Sequence, residues 1–180
     1  MDLDFVDVNI LYLPLSMKPF IIYIMGVSGS GKTTIGKLLS AKTALPFFDG
    51  DDLHSRANKE KMKAGIPLRD DDRAGWLMKI NQLAKQQMKK HGAVIACSAL
   101  KEKYRKILSK EIDVPVHWVF LDGPYELLLE RMHSRKEHFM PATLLPSQLN
   151  DLEIPRDSIR VEISSSPVEI IETIISQIGE

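Results

Sequence analysis

The sequence predicts an α/β domain on a mostly parallel sheet, and three observations carry that reading. From residue 20 onward, short apolar runs alternate with longer helix-like segments, the order that threads parallel strands through helical crossovers. Most of these runs are continuously apolar, as strands are when helices cover both faces of a sheet. Size and balance agree: 180 residues, 24 basic and 24 acidic side chains and 44% apolar residues suit one globular domain. At this length folding hides roughly 70% of the surface of the unfolded chain, so stability needs neither disulfides nor a structural metal.

Residues 1–16 stand apart from a domain over 17–180. They carry apolar side chains from Val8 to Leu15 but open with Asp2, Asp4 and Asp7. A secretory leader begins with positive charge, and the apolar stretch is far below the roughly 18 residues that span a bilayer. The segment reads as an N-terminal extension, an edge strand or a packing arm, with Met17 an alternative start. Strands are expected at Phe20 to Met25, Pro46 to Phe48, Ala93 to Cys97, Val116 to Leu121 and Ile159 to Ile163. Helices are expected to begin near Lys32, Leu53, Asp72, Lys101, Pro124, Thr143 and Pro167, with Pro124 and Pro167 suited to a first turn. Between two strands, Ser134 to Pro155 breaks the alternation with Pro141, Pro146 and Pro155; it reads as a mobile lid over 134–155.

Composition excludes several classes. Zero net charge argues against a nucleic-acid partner, which asks for a basic excess; the runs Lys85 to His91 and Lys101 to Lys106 read as solvated helix faces. One cysteine, Cys97, makes no internal disulfide, so a reducing cytoplasm is the expected setting. Cys97 itself reads as a small buried residue, since nothing beside it in sequence would activate a thiolate.

The strongest motif follows the first strand. Gly26-Val27-Ser28-Gly29-Ser30-Gly31-Lys32-Thr33 fits the phosphate-binding loop G-x-x-x-x-G-K-[S/T] in its strand-loop-helix setting. Glycines let backbone N–H groups turn onto phosphates, and the helix N-terminus adds its positive dipole end. Gly26, Ser28, Gly29, Ser30, Gly31, Lys32, Thr33 and Thr34 are therefore the expected ATP-binding residues. Lys32 bridges the β- and γ-phosphates, and Thr33 offers its hydroxyl to Mg²⁺. A guanine-reading N-K-x-D is absent, because Asn58-Lys59 continues with Glu60 and Lys61. What remains is the pattern of a small phosphotransferase.

Phe48-Asp49-Gly50-Asp51-Asp52-Leu53-His54 places carboxylates 49 and 51 two residues apart. On an extended backbone they would point the same way, at a strand's C-terminal end where ligands bind in open α/β sheets. Asp49 then orients Mg²⁺ through its waters and Asp51 accepts the proton of an attacking hydroxyl; a solvated Asp-Gly turn capped by Asp52 is the alternative. Asp70, Asp71 and Asp72 read as first-turn charges that favour a helix start. Arg73 reads either as a clamp on a substrate carboxylate or as a surface ion pair. Lys101 and Arg105 share a helix face and either hold an anionic acceptor or face solvent. Arg131 and Arg135, also four apart, either neutralise charge on the transferring phosphoryl group or form a basic surface stripe. His138 either contacts substrate or steadies the lid turn, and Ile163 to Pro167 could line the adenine end of the site.

The stretches MGVSGSGKTT, FFDGDDLH, ANKEKMKAGIPLRDDDR, CSALKEKYR, RMHSRKEHFMP and LLPSQLNDLE together resemble the small gluconate kinases of the nucleoside-monophosphate-kinase-like P-loop group, from about Ile22 to Ile178. The resemblance implies a three-layer sandwich with a five-stranded parallel sheet in the order 2-3-1-4-5 and a helical lid. It implies ATP- and Mg²⁺-dependent phosphorylation of D-gluconate at its C6 hydroxyl, feeding the pentose phosphate or Entner-Doudoroff routes, and often a homodimer. It favours sugar-acid roles for Asp51, His54, Arg73, Lys101 and Arg105, and nucleotide or transition-state roles for Arg131 and Arg135. Three positions depart from the family pattern: Glu137 where glycine usually precedes His-Phe-Met, Ser55 where proline usually follows the histidine, and Gly75 where proline often precedes the tryptophan. The competing readings are a kinase for shikimate, a nucleotide or another sugar acid, and a nucleotide-dependent binding protein without turnover.

Overall fold

Five parallel strands form the centre of the molecule: β1 (Phe20–Met25), β2 (Phe47–Asp49), β3 (Gly92–Ala96), β4 (Val116–Asp122) and β5 (Ile159–Glu162), ordered β2-β3-β1-β4-β5. The structure is a computed structural model and describes residues 18–134 and 141–179. The N-terminal extension, the candidate start Met17, and Arg135, Glu137 and His138 lie outside the described residues. Helices α1 (Lys32–Thr43), α2 (Arg56–Lys63), α3 (Asp70–Met88), α4 (Glu102–Ser109), α5 (Tyr125–His133), α6 (Leu145–Asp151) and α7 (Pro167–Ile178) fill the connections. Among the described residues no helix is long and apolar enough to cross a membrane.

Side-chain alternation along β1 divides the core into two layers. Phe20, Ile22 and Ile24 pack with Ile35 and Leu39 of α1, Leu128 of α5 and Ile170, Ile171 and Ile174 of α7. Ile21, Tyr23 and Met25 pack on the opposite face with Trp76, Leu77 and Ile80 of α3 and Tyr104 and Leu108 of α4. All six β1 side chains are buried, which explains the uninterrupted apolar run. Gly92 opens β3 at φ 98°, where a Cβ would run into the Phe20 backbone; only glycine lets β3 start this close to β1.

Local chemistry sets the boundaries, and several differ from the sequence reading. β2 runs one residue later than expected, because Asp49 still pairs with Ala96 of β3. No helix begins at Leu53: Gly50–Leu53 make a 3-10 turn, and α2 starts only after Ser55, whose hydroxyl accepts from the Asn58 N–H at 3.1 Å. The serine that departs from the family's proline is thus a helix cap. α3 starts at Asp70 rather than Asp72, and the Asp72 carboxylate accepts from the Arg69 N–H at 2.9 Å. Lys101 and Pro124 each precede their helix instead of opening it, whereas Pro167 does sit in the first turn of α7 behind the Ser166 cap. In the stretch read as a lid, residues 142–144 make a 3-10 turn that runs into α6, anchored by buried Leu144 and Leu145.

Candidate active site

All five strands point their C-terminal ends to one edge, and the loops leaving that edge build the site. The loop after β1 is shaped by three glycines at positive φ: Gly26 (144°), Gly29 (85°) and Gly31 (94°). A Cβ on Gly29 would stand 2.7 Å from the Leu128 carbonyl oxygen, so the loop lies tight against α5 only as glycine. The Gly31-to-Lys32 step opens α1, directing the helix N-terminus at the loop's concave side. Lys32 Nζ donates to the Val27 carbonyl at 3.0 Å, and with Ser28 and Asp51 it lines the cleft beneath the loop.

Thr33 and Asp49 meet directly: the threonine hydroxyl donates to Asp49 Oδ2 at 2.7 Å. Asp49 Oδ1 accepts from the Asp51 N–H at 3.1 Å. Strand alternation, the reason for expecting carboxylates 49 and 51 side by side, does not apply. Asp49 ends β2 while Asp51 lies in the following 3-10 turn, and it is this turn that brings Asp51 into the cleft. Burial pushes the Asp51 carboxyl above its ordinary range; Lys32 pulls it back down, and Asp49 and Asp52 push it up again. A carboxylate biased toward taking up a proton is suited to general-base work.

His54 stacks on the Trp76 ring with centroids 4.2 Å apart, and Trp76 Nε1 donates to the Gly50 carbonyl at 2.7 Å. Burial, then the positive fields of Arg73 and Lys59, lower the His54 pKa to about 4. Since the ordinary value is 6.5, unfolded chains take up a proton in this window that folded chains refuse. The contribution to stability is complete above about pH 6.5 and is lost as pH falls to about 4. Urea midpoints measured across that range are expected to fall, and His54→Gln is expected to flatten part of the fall, on the order of 2 kcal/mol.

At the far side of the cleft Arg73 and Lys101 come together over Tyr104, with the guanidinium 5.4 Å and the ammonium 5.8 Å from the ring centroid. Arg73 Nη1 donates to the Tyr104 hydroxyl at 2.9 Å. Arg105, four residues from Lys101, does not join them. Its guanidinium is buried, donating to the Ala99 and Leu100 carbonyls at 3.0 Å each, and it lines a separate groove with Trp118 and Glu153. Its work is to brace the β3–α4 loop, where Ala99 holds a positive φ of 45°. Cys97 is fully buried and its thiol is pushed up to about 12 by burial, as expected of an inert core cysteine.

Arg131 reaches over the other side of the phosphate loop. Its Nη2 donates to the Ile163 carbonyl at 2.8 Å, and Nη1 would lie 3.9 Å from a Cβ on Gly31. Arg131 and Thr34 share one pocket beside the loop with Ile163, Ser165 and Pro167 of the stretch read as the adenine end; Ser164 and Ser166 do not line it. Sequence reasoning left two functional candidates unassigned, both on α6. Gln148 Oε1 accepts from the Ser28 N–H at 2.7 Å while its Nε2 donates to the Ser28 hydroxyl at 3.0 Å, and Asp151 faces Arg73 and Lys101. Both lie in the LLPSQLNDLE stretch, where their i, i+3 spacing puts them on one helix face and was the available signal.

A phosphate loop on β1, a hydroxyl–carboxylate pair between α1 and β2, and an acidic and basic cleft at the same sheet edge define a small-molecule kinase of the P-loop class. The family model described as shikimate kinase matches residues 28–177. The chain is 44% identical over 165 residues to a gluconokinase of Gluconobacter oxydans, covering 89% of this chain and 92% of that one. It is 46% identical over 154 residues to the thermosensitive gluconokinase of Escherichia coli K12, covering 83% and 82%. The solved gluconokinase of Sinorhizobium meliloti 1021 superposes with a TM-score of 0.80 at 39% identity, over 90% of this chain and 93% of that one. The chain belongs to the gluconokinase family, on the fold it shares with shikimate kinases.

Proposed function

We propose that this kinase transfers the γ-phosphoryl group of ATP to the C6 hydroxyl of D-gluconate. The observation that carries the reading is that Arg73 lines two adjoining pockets, one with Ser28, Lys32 and Asp51 and the other with Lys101. An acceptor with a carboxylate at one end and a hydroxyl at the other fits that order. The hydroxyl oxygen bonds to the γ-phosphorus as the bond to the ADP oxygen breaks, and the hydroxyl proton passes to Asp51. Lys32 and the loop amides hold the phosphates, Arg131 offsets charge on the transferring group, and His54 positions the acceptor beside Trp76. Arg135 and His138 are proposed to act from the lid over 134–155, which shields the reaction from water when it closes. Thr33 and Asp49 present the hard oxygen donors that suit Mg²⁺, and when bound it would neutralise phosphate charge there.

Shikimate is the second reading, favoured by the family model over residues 28–177; its carboxylate would meet the same two cations. The two are separated by ADP release from Mg-ATP with D-gluconate, shikimate, D-glucose, nucleoside monophosphates or no acceptor. Release with gluconate alone, with a product phosphorylated at C6, is the expected result; release only with shikimate overturns the gluconate assignment.

A further inference from the structure

The acceptor end of the cleft already contains a carboxylate. Asp151 is the last residue of α6, where the negative end of a helix disfavours an anion, and it stands there against two cations. Its Oδ2 lies 3.2 Å from Arg73 Nη1 and its Oδ1 2.9 Å from Lys101 Nζ. One carboxylate with an oxygen on each cation is the pattern an incoming sugar acid would make. Asp151 is not what keeps the cations in place. Tyr104 lies under both, its hydroxyl accepts from Arg73 at 2.9 Å and donates to Asp70, and Asp70 is itself 3.8 Å from Lys101. One turn back on α6, Gln148 holds Ser28 of the phosphate loop. This short helix is therefore fastened at both ends of the cleft.

We propose that Asp151 is an internal stand-in for the acceptor's carboxylate, displaced when a sugar acid binds, so that an acidic substrate releases α6 from the acceptor end. This inference rests on the acceptor reading given above. Binding must first undo the Asp151 contacts, so the apparent affinity for the acid is reduced by the fraction of molecules in which they are made. A neutral polyol gains nothing from displacing Asp151 and leaves α6 fastened. The contact therefore weakens the binding of acids and leaves that of neutral polyols unchanged.

The test is Asp151→Asn in the full chain, which keeps the shape and removes the charge. The KM for D-gluconate, and its Kd by calorimetry, are expected to fall about three- to tenfold. The KM for ATP and the melting temperature should stay close to those of the unchanged protein, and D-glucitol, the same carbon chain without the carboxylate, should bind no better. Asp151→Glu is expected to restore weaker gluconate binding. A gluconate KM that stays level or rises overturns the proposal, a rise meaning that Asp151 instead orients the cations for substrate. If the unchanged protein shows no gluconate-dependent ADP release, the acceptor assignment fails. The stand-in role is then read from calorimetric binding of gluconate and shikimate alone: tighter binding of either acid to Asp151→Asn sustains it, and no difference for both overturns it.

Discussion

Asp51→Asn is expected to lower kcat with gluconate by about 10³-fold while nucleotide binding changes little, because a positioned general base contributes about 10²- to 10⁴-fold and the amide keeps the shape without accepting a proton. Gluconate-dependent ADP release and fluorescent-nucleotide titration together check both halves. The substitution carries an internal control for misfolding. Burial raises the Asp51 carboxyl above its ordinary value, so the folded protein holds this proton more tightly than the unfolded chain. The resulting stability is present at low pH and is lost as pH rises through the folded value. Ionising this partly buried carboxyl therefore opposes folding, and removing it is expected to raise the melting temperature at neutral pH. A variant that is less active and more stable would mark Asp51 as a residue kept for chemistry at a cost in stability; unchanged turnover would remove it from the base role.

The parts of this molecule that local chemistry dictates were legible in the sequence. The glycine pattern from Gly26 to Gly31, and strands such as Phe20–Met25 whose side chains are all buried, depend on backbone freedom and burial alone. So does Pro167, which sits in the first turn of α7 as its fixed φ suggests. Positions decided by distant partners were read less well. Asp49 and Asp51 were expected to share the cleft by strand alternation, yet the chain leaves the strand between them and a 3-10 turn does the work. Lys101 and Arg105 share a helix face by spacing, but carbonyls of the preceding loop claim Arg105 and leave Lys101 beside Asp151 and Tyr104. Spacing gives the face of a helix; what that face meets depends on the β3–α4 loop. Gln148 and Asp151 illustrate the same limit, since their partners Ser28 and Arg73 are distant along the chain and no local rule pairs them.

Lys32→Met is expected to act on both halves of the reaction at once. Loss of the ammonium removes a preorganised positive group from the phosphates, and removing one such stabilising contact typically costs about 10²- to 10³-fold in kcat; the KM for ATP is expected to rise as well. The second effect comes through Asp51, whose carboxyl Lys32 draws downward against burial and the neighbouring Asp49 and Asp52. Without the lysine, Asp51 binds its proton more tightly, so the acid limb of the kcat/KM profile for gluconate is expected to move to higher pH. At a fixed pH near that limb the loss is then greater than phosphate binding alone would give, and raising the pH recovers part of it. The profile distinguishes this coupling from simple loss of nucleotide affinity: an acid limb that stays in place, with kcat/KM lowered equally at every pH, would show that the two groups do not share a field in the working enzyme. The displacement should be smaller in Arg73→Met, because Lys32 is the largest of the charges that lower the Asp51 carboxyl, and loss of Arg73 should instead raise the KM for gluconate.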